Sequence, residues 1–274
     1  MFFMNEIDFL ADEIYRRYGN IKRARGPFLY TEKRVRLTDL YQEGGRAILG
    51  WGGGSAFTML KNALDRGATG SYRTDFSYRL EKAVNDLFVG DHRKIFVFPS
   101  KMDAVAAAVA VSQDHTCVYH PWHQTEVDFS LMECIILEPA LPWSSSIFIL
   151  AVRENEANMA KMHENGKKTI RLASPMEAAV TRSIYNLIAA LQTRSEKDWF
   201  IYDNSINRYW ERKGPYLFPK IPMDSYRDFV LHCLDLGIVI SPVYEIPSIV
   251  PFGADRGIFS ALKKNPFTSE NQVK

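Results

Sequence analysis

Cysteine is scarce in this chain of 274 residues: Cys117, Cys134 and Cys233 are the three, far apart and with no CxxC pair among them. An odd, dispersed set argues against a disulfide framework or a structural zinc site and leaves buried thiols as the plain reading. Net charge is scarce as well. Lys and Arg number 34 against 32 Asp and Glu, for a formal charge of +2, so no basic footprint for nucleic acid covers the surface. No apolar run approaches the ~20 residues that span a bilayer. The opening MFFMNEIDFL is apolar but carries Glu6 and Asp8, and it lacks the basic start and small-residue cleavage site of a secretory signal. Also missing are a nucleophile elbow, an HExxH pair, a P-loop and a G-x-G-x-x-G in a βαβ setting. These absences lead to the expectation of a cytoplasmic protein with no nucleic-acid or membrane partner. What remains is ordinary for a globular chain: 46% hydrophobic and 24% charged residues, enough for one large or two modest cores.

Periodicity gives the elements. Ile7, Leu10, Ala11, Ile14 and Tyr18 fall at helical spacing and Gly19-Asn20 supplies a stop. FLYTEKRVRLTDL predicts a hairpin turning at Thr31–Arg34, and six glycines follow in GGRAILGWGGG. Residues 56–66 and 76–88 predict amphipathic helices, the second capped by Asp75. KIFVFP runs straight into the alanine-rich DAVAAAVAVS, a strand–turn–helix that points to α/β architecture. MECIILEP and SSIFILAV predict buried strands of the kind found in parallel sheets. A helix at SPMEAAVTRSIYNLIAALQ has Ser174 as N-cap, Pro175 at its first position and Glu177 on capping-box spacing. The last third is rich in proline and short strands around the helix DSYRDFVLHCLDLG, which suggests a small α+β unit.

The order of these blocks resembles the class III, fold-type I aminotransferases, which depend on pyridoxal phosphate (PLP) and include the glutamate-1-semialdehyde aminomutases. RGPFLYTEKRVRLTDLYQEGGRAILGW resembles the family's opening hairpin and Gly-rich stretch, and KIFVFPSKMDAVAAAVAVS takes the place of the strand and Gly-Thr turn that open the large domain. ILEP is similar to the family's Glu-Pro strand end, FILAVRENEANMAKM to the strand and helix beyond the catalytic lysine, and TIRLASPMEAAVTRSIYNLIAAL to the threonine turn and long helix behind it. The stretch from GPYLFPKIP to DLGIVISP resembles the C-terminal small domain. The resemblance implies an α/β, aspartate aminotransferase-like fold. Residues 55–195 would form a reduced large domain, and 1–54 with 196–274 a small α+β domain. It also implies a homodimer.

Its departures govern the functional expectation. PLP chemistry of this type needs a lysine for the internal aldimine, a carboxylate on the pyridinium nitrogen and a cup of backbone amides for the phosphate. In the family the first two lie between the Glu-Pro strand and the FILAV-like strand. Here only LPWSS separates ILEPA from SIFILAV. No catalytic residue, no metal and no resident cofactor are therefore expected, with PLP retained only under the alternative of a relocated lysine, Lys101 or Lys168. Lys167 and Lys168 read more simply as solvated residues of the turn HENGKK. Ser100, Lys101, Met102 and Asp103 occupy the family's phosphate turn, and Tyr119 and His120 its ring-covering turn; these six are vestigial cofactor-site positions. His115, His120 and His123 are close in sequence but offer no firm metal-ligand spacing. WGGGS reads as a flexible turn at a domain or dimer seam. The leading expectation is an aminotransferase-like, non-catalytic binding or regulatory protein. The alternatives are a PLP enzyme using the relocated lysine, or a sensor of a phosphorylated metabolite at Ser100–Asp103.

Overall fold

The computed structural model describes residues 2–123 and 127–268. The chain forms two compact units, one built from both chain ends (Met1–Gly52 with Arg194–Lys274) and one from Gly53–Thr193. The crossing from the first unit to the second falls inside the glycine run.

In the first unit, helix α1 (Phe2–Tyr18) ends at Gly19, whose φ of +73° only glycine adopts without strain. Strands β1 (Ile21–Arg25), β2 (Phe28–Thr31) and β3 (Arg36–Asp39) follow as an antiparallel meander. The hairpin turn lies where the sequence places it, with Arg34 at φ +63°; β1 gave no such signal because only one of its five residues is even half-buried.

The second unit contains α2 (Ser55–Asp65), α3 (Phe76–Leu87), β4 (Arg93–Phe98), α4 (Lys101–Val111), β5 (Thr116–Tyr119), β6 (Cys134–Leu137), β7 (Phe148–Arg153), α5 (Glu156–Asn165) and α6 (Ser174–Thr193). Its sheet has the order β4-β7-β6-β5. Alternate residues of the central strands face opposite ways. Ile135, Leu137, Ile149 and Ala151 join Leu80, Val84, Ala179, Val180 and Ile184 of α3 and α6 in one core. Cys134, Ile136, Leu150 and Val152 join Ala104, Ala107, Ala108 and Met162 of α4 and α5 in another. Both faces are covered, so the strands read as unbroken apolar runs, each fully buried side chain contributing about 1.5–3 kcal/mol.

That coverage explains a correction. The runs suggest a parallel sheet, yet β7 is antiparallel to both β4 and β6, and only β5 and β6 run parallel. Burial on two faces fixes composition, not direction. Two capping expectations also give way to longer-range bonds. Asp75 precedes α3 but makes no cap; its carboxylate pairs with Arg79 at 2.5 Å instead. Ser174 is the first residue of α6, where its hydroxyl meets that of Thr74 at 3.1 Å, and Glu177 accepts from the Ser77 hydroxyl at 2.7 Å. The helix start is tied to α3 and the segment before it rather than to itself.

The chain then returns to the first unit through α7 (Asp203–Ile206), β8 (Trp210–Lys213), β9 (Tyr216–Pro219), α8 (Met223–Asp235), β10 (Ile238–Val239), β11 (Ser248–Ile249) and α9 (Ser260–Lys264). Strand β10 adds in parallel to β3, giving the order β1-β2-β3-β10, while β11, β9 and β8 form a separate three-stranded sheet. An aromatic cluster of Tyr209, Trp210, Tyr226 and Phe229 fills the interior, with ring centroids 5.1–6.4 Å apart along its contacts. No helix of the described residues is long and apolar enough to cross a membrane.

Candidate functional site

The carboxyl end of β4 leads through Pro99 into α4, and the residue at the junction is Ser100. Its extended backbone (φ −136°, ψ 138°) and its Oγ, which accepts from the Asp103 N–H at 3.4 Å, make it the N-cap. Lys101 opens the helix with its side chain exposed, and Met102 is 77% exposed. Asp103 lies in the first turn, where the helix dipole favours an anion. Its Oδ1 receives the Lys168 ammonium at 2.6 Å. The two lysines singled out from the sequence thus flank the same turn, one at the helix start and one bonded to its acid.

Tyr119 ends β5. Its ring packs edge-on against Phe88 at 5.0 Å and against Phe129 at 5.4 Å, and burial pushes its phenol up to about 12. His120 follows with Nδ1–H donating to the Val118 carbonyl at 3.2 Å. Burial, and then the positive charge of Lys101, hold its imidazole below the ordinary value. β5 runs in the same sense as β4, so their carboxyl ends, and with them His120 and Lys101, lie at one end of the sheet. The His120 and His123 rings are 6.2 Å apart, and between them Trp122 has φ +61°, a strained setting for a bulky residue. His115 lies at the opposite end of β5, where its carbonyl accepts from the Glu133 and Cys134 amides. The three histidines are not convergent. Among the described residues no group of three or more His, Cys, Asp or Glu is arranged to hold a metal.

Residues 138–147 join β6 to β7 with the sequence EPALPWSSSI, which contains neither lysine nor aspartate. Leu141 and Ile147 are buried in the core, the Trp143 N–H bonds the Leu141 carbonyl at 2.7 Å, and the Trp143 ring leans on Phe57 at 6.2 Å. This connection is short, apolar and folded onto α2.

Solved structures superpose on nearly the whole chain. Ornithine δ-aminotransferase of Plasmodium falciparum matches with a TM-score of 0.63 at 11% identity, covering 94% of this chain and 96% of the other. Acetylornithine aminotransferase of Elizabethkingia anophelis matches with 0.63 at 11% identity over 94% and 97%. Serine palmitoyltransferase of S. paucimobilis matches with 0.64 at 9% identity over 96% and 98%. The fold is that of the PLP-dependent aminotransferases. At these identities the likeness is one of fold alone. No family model matches the chain. Among curated proteins, an uncharacterised protein of Treponema pallidum is 25% identical over 287 residues, covering 87% of this chain and 91% of the relative. A second, from Borreliella burgdorferi, is 24% identical over 259 residues, covering 92% and 91%.

The burial of three polar residues escapes a reading of the sequence. Asp39 is buried and accepts from the Trp51 indole. Arg93 is buried and donates to three carbonyls. Glu177 is buried in a cleft beside Ser77 and Arg171. Each residue type is ordinarily exposed, and nothing adjacent in sequence marks these positions; the partners are 8 to 100 residues away or are main-chain groups.

Proposed function

We propose that this chain is an aminotransferase-like protein that performs no Schiff-base chemistry and works as a homodimeric, non-catalytic binding or regulatory protein. The observation that carries this reading is the β6–β7 connection: ten residues, apolar and packed, at the place where the family resemblance puts the lysine and the pyridinium carboxylate.

The groups near the start of α4 do not fit PLP in their place. A Schiff-base amine is activated by desolvation or a neighbouring charge. Lys101 is exposed, and Lys168 is 70% exposed and engaged in an ion pair with Asp103. That pair also occupies the carboxylate nearest the turn. Tyr119 is enclosed by Phe88 and Phe129 rather than presented to a ring.

The test is direct. Purified protein incubated with PLP and then borohydride should show no lysine-linked pyridoxyl adduct by peptide mass spectrometry. A stoichiometric adduct on one lysine would overturn the proposal and favour the relocated-lysine enzyme. The phosphate-sensing alternative rests on Lys101 beside the amides of the first turn of α4. It predicts a thermal shift with phosphate esters that disappears in Lys101→Ala.

A further inference from the structure

At the β4 edge of the second unit's sheet lies a cleft of about 440 Å³ whose lining does not include Ser100–Asp103, Tyr119 or His120. Its walls are Ser77 and Glu81 of α3, the outer edge of β4 at Ile95–Val97, the segment 169–172 and Glu177 of α6. We propose that this cleft binds a small primary ammonium ion with an apolar body, the charge being received by Glu177.

Glu177 is only 5% exposed. One carboxylate oxygen accepts from the Ser77 hydroxyl at 2.7 Å, and the other, Oε2, is buried with no hydrogen-bond partner among the described residues. Buried polar atoms are almost always paired, and leaving one unpaired costs about 1–3 kcal/mol. The neighbouring acid of the same cleft shows the contrast, since Glu81 receives Lys94 Nζ at 3.0 Å. Glu177 has no such cation among the described residues. Arg171, at the rim, spends its donors on the carbonyls of Ser71 and Tyr72 at 3.4 and 3.2 Å.

The strand edge forms the opposite wall. β4 is the outermost strand, and its odd-numbered residues turn their main-chain groups away from β7. The Asn85 amide takes both groups of Arg93, at 2.8 and 3.0 Å, and the Ile170 N–H takes the Val97 carbonyl at 2.8 Å. Between these two clamps the Ile95 N–H and carbonyl face the same side. An ammonium ion has three donors and no acceptor, which matches the unpaired Glu177 carboxylate oxygen. Ile95, Val97 and Leu172 supply the apolar wall for the rest of the ligand. A neutral alcohol of the same shape lacks the charge that makes the bond to a carboxylate worthwhile.

The experiment is calorimetric titration of the full chain with isoamylamine hydrochloride, and with isoamyl alcohol in parallel. Saturable binding of the amine is expected, with the alcohol at least tenfold weaker. Glu177→Gln keeps the shape and the Ser77 bond and should weaken amine binding at least tenfold. Leu172→Trp, which fills the cleft and leaves Glu177 untouched, should abolish it, and this variant decides the matter should Glu177→Gln fail to fold by circular dichroism. No amine binding, equal binding of amine and alcohol, or undiminished binding in Leu172→Trp would each overturn the proposal.

Discussion

The indole Nε1–H of Trp51 donates to Asp39 Oδ2 at 2.6 Å, and this bond ties the glycine-rich segment to the end of β3. The other oxygen, Oδ1, accepts from the Gln42 N–H at 2.9 Å. Between the two lies a turn in which Gln42 and Glu43 have φ of +46° and +55°, a conformation held by its surroundings rather than chosen by the residues.

Burial of Asp39 makes folding of the first unit pH-dependent. Desolvation raises its carboxyl to about 6, outweighing the Gln42 and Trp51 bonds that oppose the shift. An unfolded aspartate titrates near ~3.9, so the folded state binds the proton more tightly. The group's contribution is fully present below about pH 4 and is lost as pH rises through about 6, a span worth about 3 kcal/mol. Urea unfolding across this range should show that slope, and Asp39→Asn should lack it. A wild-type curve that is flat or rises with pH, once other carboxylates are matched by the variant, would contradict the assignment.

The thiols should be inert in the native state. Burial pushes Cys117 and Cys134 up to about 11 and raises Cys233 well above its ordinary value. The register of β5 on β6 sets Cys117 opposite Ile135 and Cys134 opposite Thr116, and the two sulfurs serve different cores. They are free thiols on opposite faces of the sheet. Titration with a disulfide reagent at neutral pH should find all three slow, and three rapid equivalents after denaturation. One fast native thiol would show that an adjacent element opens readily.

The fold was legible where one residue's environment is set by its near neighbours. The strand–turn–helix from β4 into α4, the hairpin turn ahead of Arg36 and the helix stop at Gly19 follow from local chemistry, and the order of such pieces was enough to suggest the aminotransferase fold. Strand direction was not legible, since Phe148–Arg153 would be equally apolar in either sense when both faces are covered. The caps of α3 and α6 were misread for a related reason. Asp75, Ser174 and Glu177 each have the right spacing for a local bond, but a residue from elsewhere in the fold or from the next helical turn takes it. Glu177 is the most instructive of these. As a capping residue it would be a surface acid; buried against Ser77 with one oxygen unmatched, it becomes the strongest candidate for a ligand contact.

Gly53 is required by shape as well as by dihedral. Its φ is +59°, and a Cβ there would lie 2.3–2.8 Å from three ring carbons of Phe57, which packs on the second unit's core. Gly67 provides the control, with φ +69° and open space around the same position. Left-handed backbone alone costs a non-glycine residue about 1–2 kcal/mol. Gly67→Ala should therefore lose about 1 kcal/mol, and Gly53→Ala about 2–3 kcal/mol as the Phe57 ring is displaced. Equal losses in chemical denaturation would mean that the ring moves aside freely.

Arg93 is the least expected member of the core. It is 1% exposed and meets no carboxylate among the described residues; its guanidinium donates to the carbonyls of Phe129 at 2.8 Å, Met132 at 2.7 Å and Glu133 at 3.3 Å. Burial and the nearby Arg153 charge lower its pKa, so the protein pays to keep this cation inside. The return is the turn that leads into β6: a single planar fork gathers the Met132 carbonyl together with those of Phe129 and Glu133, which also accept from the Met132 and Arg153 N–H groups. Arg93→Met fills similar volume but strands the Met132 carbonyl and takes one of two donors from each of the others, at about 1–3 kcal/mol for the acceptor left unpaired. A loss of about 1–3 kcal/mol in urea unfolding is expected, with amide exchange quickening first around residues 129–133. Arg93→Lys should recover only part of it, because one ammonium on a flexible stem does not reproduce the spread of the fork. Full rescue by lysine would show that the charge, and not the geometry, holds the turn.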